Sequence, residues 1–109
     1  MECIFCKIIK GEVPAKKVYE DNNVLAFHDI NPQAPIHILI IPKKHYSNIL
    51  QTELREIEPI FSAIKNLVSD LGLEEGFRIV NNCGELGGQT VDHVHFHLLG
   101  KRKLTWPPG

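Results

Sequence analysis

An α+β domain built on an antiparallel sheet is the fold class that the sequence predicts, on three observations. Leu54, Ile57, Ile60, Phe61, Ile64, Leu67, Val68 and Leu71 recur with helical period, which makes one face of a helix about 27 Å long at 1.5 Å per residue. Five other stretches are short, apolar and mostly rich in β-branched residues, three before that helix and two after it. Apart from the long helix, the links between strands hold no crossover helix, so neighbouring strands are expected to pair antiparallel. A length of 109 residues predicts one domain, 1–109, with one core and no need of disulfide staples.

Cys3 to Lys10 reads as a short helix, because Ile4 with Ile8 and Phe5 with Ile9 are i,i+4 pairs and Gly11 supplies a stop. Lys16 to Tyr19 and Val24 to Asp29 flank Asp21-Asn22-Asn23, the pattern of a hairpin. Asn31-Pro32-Gln33-Ala34-Pro35 is a loop, since each proline disfavours helix at the residue before it. His37 to Ile41 has almost no polar alternation and is expected to be a strand buried on both faces. Pro59 conflicts with an unbroken long helix. Either the helix kinks there, or a short first turn ends near Ile57 and Pro59 opens the main helix, the second being slightly favoured, with Gly72 as the stop. Phe77 to Asn81 is a strand, Asn82 to Thr90 a loop with three glycines, and Val91 to Leu99 the last strand.

Composition narrows the function. Hydrophobic residues at 43% and charged residues at 23% exclude disorder. Lys+Arg 12 against Asp+Glu 13 leaves a net charge of −1, without the basic field of a general nucleic-acid or acidic-membrane binder. The N-terminus has no basic segment followed by a long apolar run, and the longest apolar stretch, Ile38 to Pro42, is far short of a membrane span. Neither nucleic acid nor membrane is expected as a partner. Three cysteines, Cys3, Cys6 and Cys83, are an odd number in a low-cysteine chain. That suits a reducing, cytoplasmic setting better than a disulfide framework.

The unusual segment is Asp92-His93-Val94-His95-Phe96-His97-Leu98-Leu99. In a strand His93, His95 and His97 share one face while Val94, Phe96 and Leu98 enter the core. Scattering six histidines at random over this chain gives His-x-His-x-His roughly once in 100 trials. Two chemistries compete. One is a three-histidine metal site, against which stands the spacing: His93 and His97 are roughly 13 Å apart along a strand at 3.3 Å per residue. The other is nucleophilic and acid/base work at phosphorus, with one imidazole attacking and its neighbours donating hydrogen bonds. Gly87 and Gly88 before the histidines would let backbone N–H groups approach an anion, and Thr90 adds a hydroxyl. Cys3 and Cys6 have zinc-knuckle spacing, with two reduced thiols as the plainer reading. Lys43-Lys44 and Lys101-Arg102-Lys103 read as solvated surface. A terminal Trp106 has no evident use in a monomer and suggests a tail, 101–109, that docks on a partner subunit.

The motif His-φ-His-φ-His-φ-φ, φ being apolar, is matched at every position of His93 to Leu99, and there the chain resembles the histidine triad (HIT) family. Cys3 to Lys10, Phe27-His28-Asp29-Ile30, Pro32-Gln33-Ala34-Pro35, His37, Ile41-Pro42-Lys43-Lys44-His45, Gly87-Gly88-Gln89-Thr90 and Trp106-Pro107-Pro108-Gly109 look like its histidine triad nucleotide-binding branch. The resemblance implies a HIT-like fold, a five-stranded, mainly antiparallel sheet with one long and one short helix, continued across a two-fold homodimer. It implies a hydrolase that cleaves the P–N bond of purine nucleoside 5′-phosphoramidates through a nucleotidyl-histidine, without a catalytic cofactor. Its ligands are a purine nucleoside monophosphate or phosphoramidate.

By the same resemblance His95 is the nucleophile, His97 hydrogen-bonds the phosphoryl oxygens or leaving group, and His37 completes the cluster. Ile4, Phe5, Ile8, Phe27 and Ile30 form the purine slot and Asp29 binds the ribose. Asn82, Gly88, Gln89 and Thr90 lie at the phosphate, with Asn81 adjacent to Asn82 in register. Cys3, Cys6, His45 and His93 resemble the ligands of a structural zinc. Two other functions stay open, a non-catalytic purine nucleotide sensor or interaction module and a zinc-dependent hydrolase.

Overall fold

The computed structural model describes residues 3–109. In chain order the elements are α1 (Ile4–Ile9), β1 (Lys17–Glu20), β2 (Val24–His28), β3 (Ile36–Pro42), a 3₁₀ turn (Ile49–Gln51), α2 (Leu54–Asp70), β4 (Phe77–Val80) and β5 (Phe96–Gly100). The five strands form one sheet in the order β1-β2-β3-β5-β4, and every adjacent pair is antiparallel. The fold is therefore α+β, with one long and one short helix. Among the described residues no helix is long and apolar enough to cross a membrane.

Both faces of the central strands are covered. Val24, Ala26, Ile38, Ile40, Val94, Phe96 and Leu98 pack against Ile60, Ala63, Ile64 and Leu67 of α2. Leu25, Phe27, Leu39 and Ile41 turn the other way, onto Cys3, Phe5 and Ile8 of the α1 segment. Two cores separated by one sheet explain the lack of polar alternation in β3. The β1–β2 turn closes as an Asx turn: Asp21 Oδ1 accepts the N–H of Asn23 at 2.7 Å and of Val24 at 2.8 Å.

Two expectations need correction. Pro59 does not divide the long helix, which runs unbroken from Leu54 to Asp70. Its missing N–H would have bonded the carbonyl of Arg55, which lies in the exposed first turn where water can serve instead. The last strand is also shorter than Val91 to Leu99. Its ladder starts at Phe96, paired with Ile40 of β3, and ends at Gly100. Before Phe96 the chain leaves the ladder. The N–H of Val94 goes to the Tyr46 carbonyl at 2.7 Å, and the His93 ring takes the Pro42 carbonyl at 2.9 Å.

Candidate active site and metal centre

Although only His97 of the motif lies in β5, alternation holds through the whole segment. Val94, Phe96 and Leu98 face α2, while Phe5 of α1 meets the rings of His93 and His95 at centroid distances of 5.8 and 5.2 Å. The three imidazoles then part company, and the direction of each hydrogen bond fixes its tautomer. A carbonyl can only accept, so Nε2–H of His93 donates to Pro42 and leaves the Nδ1 lone pair free. The Nδ1–H of His95 likewise donates to the His93 carbonyl at 2.7 Å, so that in the neutral ring the lone pair lies on Nε2.

His97 is set through a chain of donors. The N–H of Gln33 donates to Nδ1 of His37 at 3.0 Å, so His37 is neutral and carries its proton on Nε2. That proton goes to Nδ1 of His97 at 2.8 Å. The proton of His97 must then sit on Nε2, a buried atom with no partner among the described residues. A buried donor left unpaired is costly and points to a group that arrives with a ligand. Asp29 Oδ2 lies 3.4 Å from Nε2 of His37. Burial pushes His97 down from 6.5 to about 4, helped by His95 and His37 and opposed by Asp29. It also lowers His37, again against the pull of Asp29. Both stay neutral near pH 7, as the hydrogen-bond directions require.

Cys3, Cys6, His45 and His93 bring one ligand atom each to within 4.8 Å of one another. His45 Nδ1 is 3.1 Å from His93 Nδ1, Cys6 Sγ is 3.3 Å from His45 Nδ1, and Cys3 Sγ is 3.5 Å from His93 Nδ1. Tetrahedral zinc with ordinary Zn–N and Zn–S lengths sets such edges at about 3.3 to 3.6 Å. The cluster fits a closed structural zinc site of two soft and two borderline donors. His93 is prepared for it: its Nε2–H holds Pro42, its Nδ1 faces the cluster, and burial drops its pKa to about 4. Asp29, His37 and His97 also converge. The 2.8 Å nitrogen–nitrogen contact there is a hydrogen bond, shorter than a ligand edge.

Beside the histidines lies a cavity of about 280 Å³, mostly apolar, lined by Ile4, Phe5, Ile8, Phe27, Asp29, Ile30, Thr90, His95 and His97. Pro14, Ala15, His28, Leu39 and Val91 complete its wall; of these only His28 lies in a stretch that the family resemblance marks. Three residues expected at the phosphate are not at the cavity wall. Gly88 and Gln89 direct their N–H groups to the carbonyls of Glu85 and Gly84, both at 3.0 Å. The Gln89 side chain holds Ser47, Gly84 and Val91. Gly87 is needed for packing, since a Cβ there would strike the main chain of Cys83. Asn81 rather than Asn82 reaches the motif, donating Nδ2–H to the His95 carbonyl at 2.9 Å. Trp106 is 80% exposed, its ring near the Arg78 guanidinium of its own chain.

The comparisons agree with this geometry. A 14 kDa zinc-binding protein of Zea mays is 51% identical, over 97% of this chain and 87% of its own length. A HIT family hydrolase from Legionella pneumophila Philadelphia 1 superposes with a TM-score of 0.95 at 51% identity, covering 99% of this chain and 100% of that one. A histidine triad nucleotide-binding protein from Candida albicans gives 0.90 at 39% identity, covering 97% and 83%. Residues 10–104 match the HIT domain, and the chain accordingly belongs to the HIT family.

Proposed function

We propose that this protein is a zinc-containing HIT hydrolase of purine nucleoside 5′-phosphoramidates. Hydrolase chemistry rests on the histidine cluster and on the hydrolase relative. The observation that carries the mechanism is the bare Nε2 of His95 at the wall of the cavity, beside an unpartnered Nε2–H on His97. The cavity suits a flat base: apolar Ile4, Phe5, Ile8, Phe27 and Ile30, then the Asp29 carboxylate for a ribose diol, then Thr90 and the histidines for phosphate. The name of the Candida relative supports a nucleotide as the ligand.

In the first step Nε2 of His95 forms a bond to the α-phosphorus and the P–N bond breaks. The departing amine takes a proton from the histidine cluster. In the second, water attacks the nucleotidyl-His95: its hydroxyl bonds to phosphorus, its proton returns to the histidine cluster, and the P–N bond to His95 breaks, releasing the monophosphate and restoring the imidazole. His97 Nε2–H donates to a phosphoryl oxygen, where negative charge gathers. Steady-state hydrolysis of purine and pyrimidine phosphoramidates, with dinucleoside polyphosphates alongside, tests the substrate class. Trapping of a nucleotidyl group on His95 is expected, and its absence during turnover would remove this mechanism.

A zinc-dependent role has more direct support than the phosphoramidate reaction itself, from the four-residue cluster and the zinc-binding relatives. Cys3, Cys6, His45 and His93 would hold the ion. When bound it would tie α1 to the segment ahead of His95. Four protein donors complete a tetrahedral shell, which favours a structural over a reactive ion.

The remaining expectations belong to the same reading. The whole chain acts as one HIT domain and pairs as a homodimer with the sheet continued across it. The exposed Phe77 on the edge strand β4, with exposed Trp106, supports such pairing. A solution mass of twice 12.4 kDa is expected. Three free thiols fit a reducing cytoplasm.

A further inference from the structure

The donor chain into the site does not begin at Gln33. Arg102, two residues beyond β5, donates its Nε–H to the Gln33 carbonyl at 2.9 Å. Gln33 lies in the proline-flanked loop between β2 and β3, and its own side chain reaches only the Asn31 carbonyl nearby. At its other end Gln33 gives its N–H to Nδ1 of His37, and His37 passes the direction on to His97. We propose that Arg102 is a positioning residue: by holding Gln33 it fixes the order of donors through His37, and so keeps a proton on the Nε2 of His97 that faces no protein partner. This rests on the reading that His97 serves the phosphoryl group.

The physics is that of a two-tautomer switch. Neutral imidazole is nearly indifferent to which nitrogen holds the proton until a neighbour decides it. A rigid N–H at Gln33 decides it for His37, and His37 decides it for His97. If the loop drifts, His37 can turn its proton toward the loop, and His97 must then donate back to it. His97 Nε2 would become a bare acceptor, repelling a phosphoryl oxygen instead of binding it. The other groups facing the pair are Asp29, against His37, and His95, whose ring centroid is 5.1 Å from that of His97. Asp29, an acceptor facing Nε2 of His37, favours the same Nε2–H tautomer, but Gln33 is the group that closes Nδ1 against a proton.

The test is ¹⁵N spectroscopy of the imidazoles in Arg102→Ala and Arg102→Lys proteins, with kinetics. In the wild type both His37 and His97 should show an unprotonated Nδ1 and a protonated Nε2. In Arg102→Ala the two should become tautomer mixtures, and kcat should fall about threefold with KM nearly unchanged, the scale of one exposed hydrogen bond. Arg102→Lys, which keeps a donor, should recover the wild-type spectra. Unchanged imidazole spectra in folded Arg102→Ala, or a lysine variant no better than the alanine one, overturn the proposal. If the wild type cleaves no phosphoramidate, the functional reading fails, and the spectra still decide whether Arg102 sets the tautomers.

Discussion

The main-chain carbonyl of His93 accepts the Nδ1–H of His95 at 2.7 Å, while the ring of the same His93 closes the Cys3, Cys6 and His45 cluster. One residue therefore serves the proposed metal site with its side chain and the proposed nucleophile with its backbone. Anything that moves His93 must move the hydrogen bond that selects the His95 tautomer.

Metal removal should follow from this link. Protein purified without chelator is expected to hold about one zinc per chain, and less than about a tenth of that would refute the site. Cys6→Ser should lose the ion, lower Tm by roughly 10 °C and reduce kcat about tenfold, the scale seen when an outer partner of a site is lost. The residual rate discriminates. A structural ion leaves folded, slower enzyme, whereas complete loss of turnover in folded, chelated protein would make the ion the reactive centre.

His95→Ala removes the imidazole that the proposed mechanism needs for its covalent intermediate. Turnover should fall by about 10⁴-fold or more while nucleotide binding, measured by calorimetry, persists. Hydrolysis at the wild-type rate by that variant would end the assignment.

How much of this was legible in the sequence depends on whether side chains or backbone carry the role. Period two placed His93, His95 and His97 on one face although only His97 has ladder partners, because alternation needs an extended chain and not a paired one. The strand is shorter than its alternation for the same reason: apolar alternation does not reveal that Pro42 gives its carbonyl to a ring instead of a strand. Pro59 leaves the helix unbroken because the cost of a missing N–H falls where water reaches the orphaned carbonyl. The Gln33 amide and the carbonyls of His93 and Pro42 had no signature, since every residue has these groups. Gly88 and Gln89 looked like anion donors, yet their amides close a local turn.

The pH dependence of stability should carry the mark of His97. In the unfolded chain it takes a proton near 6.5, in the folded protein only near 4. Between those values the unfolded state binds more protons, so this contribution is complete above pH 6.5 and is lost as pH falls toward 4. His37 moves in the same direction. Denaturant melts across that window should show stability falling with acid, and His97→Asn should flatten the slope. The acid limb of the rate attributable to His97 should lie well below 6.5. An unchanged slope in His97→Asn would mean that its burial carries no such linkage.

Ile30 is 100% exposed and Ile4 45% exposed, yet both line the cavity beside the histidines. In the free protein nothing covers Ile30, so Ile30→Ser should change stability by less than about 0.5 kcal/mol. A bound base would bury it, and losing that contact should raise KM roughly tenfold, the worth of about 1.4 kcal/mol of apolar burial, with kcat unchanged. The contrast is Ile41, fully buried in the core beneath α1, where a polar replacement should unfold the protein before any kinetic effect is read. An Ile30→Ser enzyme with unaltered KM would mean that the base does not lie against this wall, and the purine slot would have to be sought elsewhere along the α1 face.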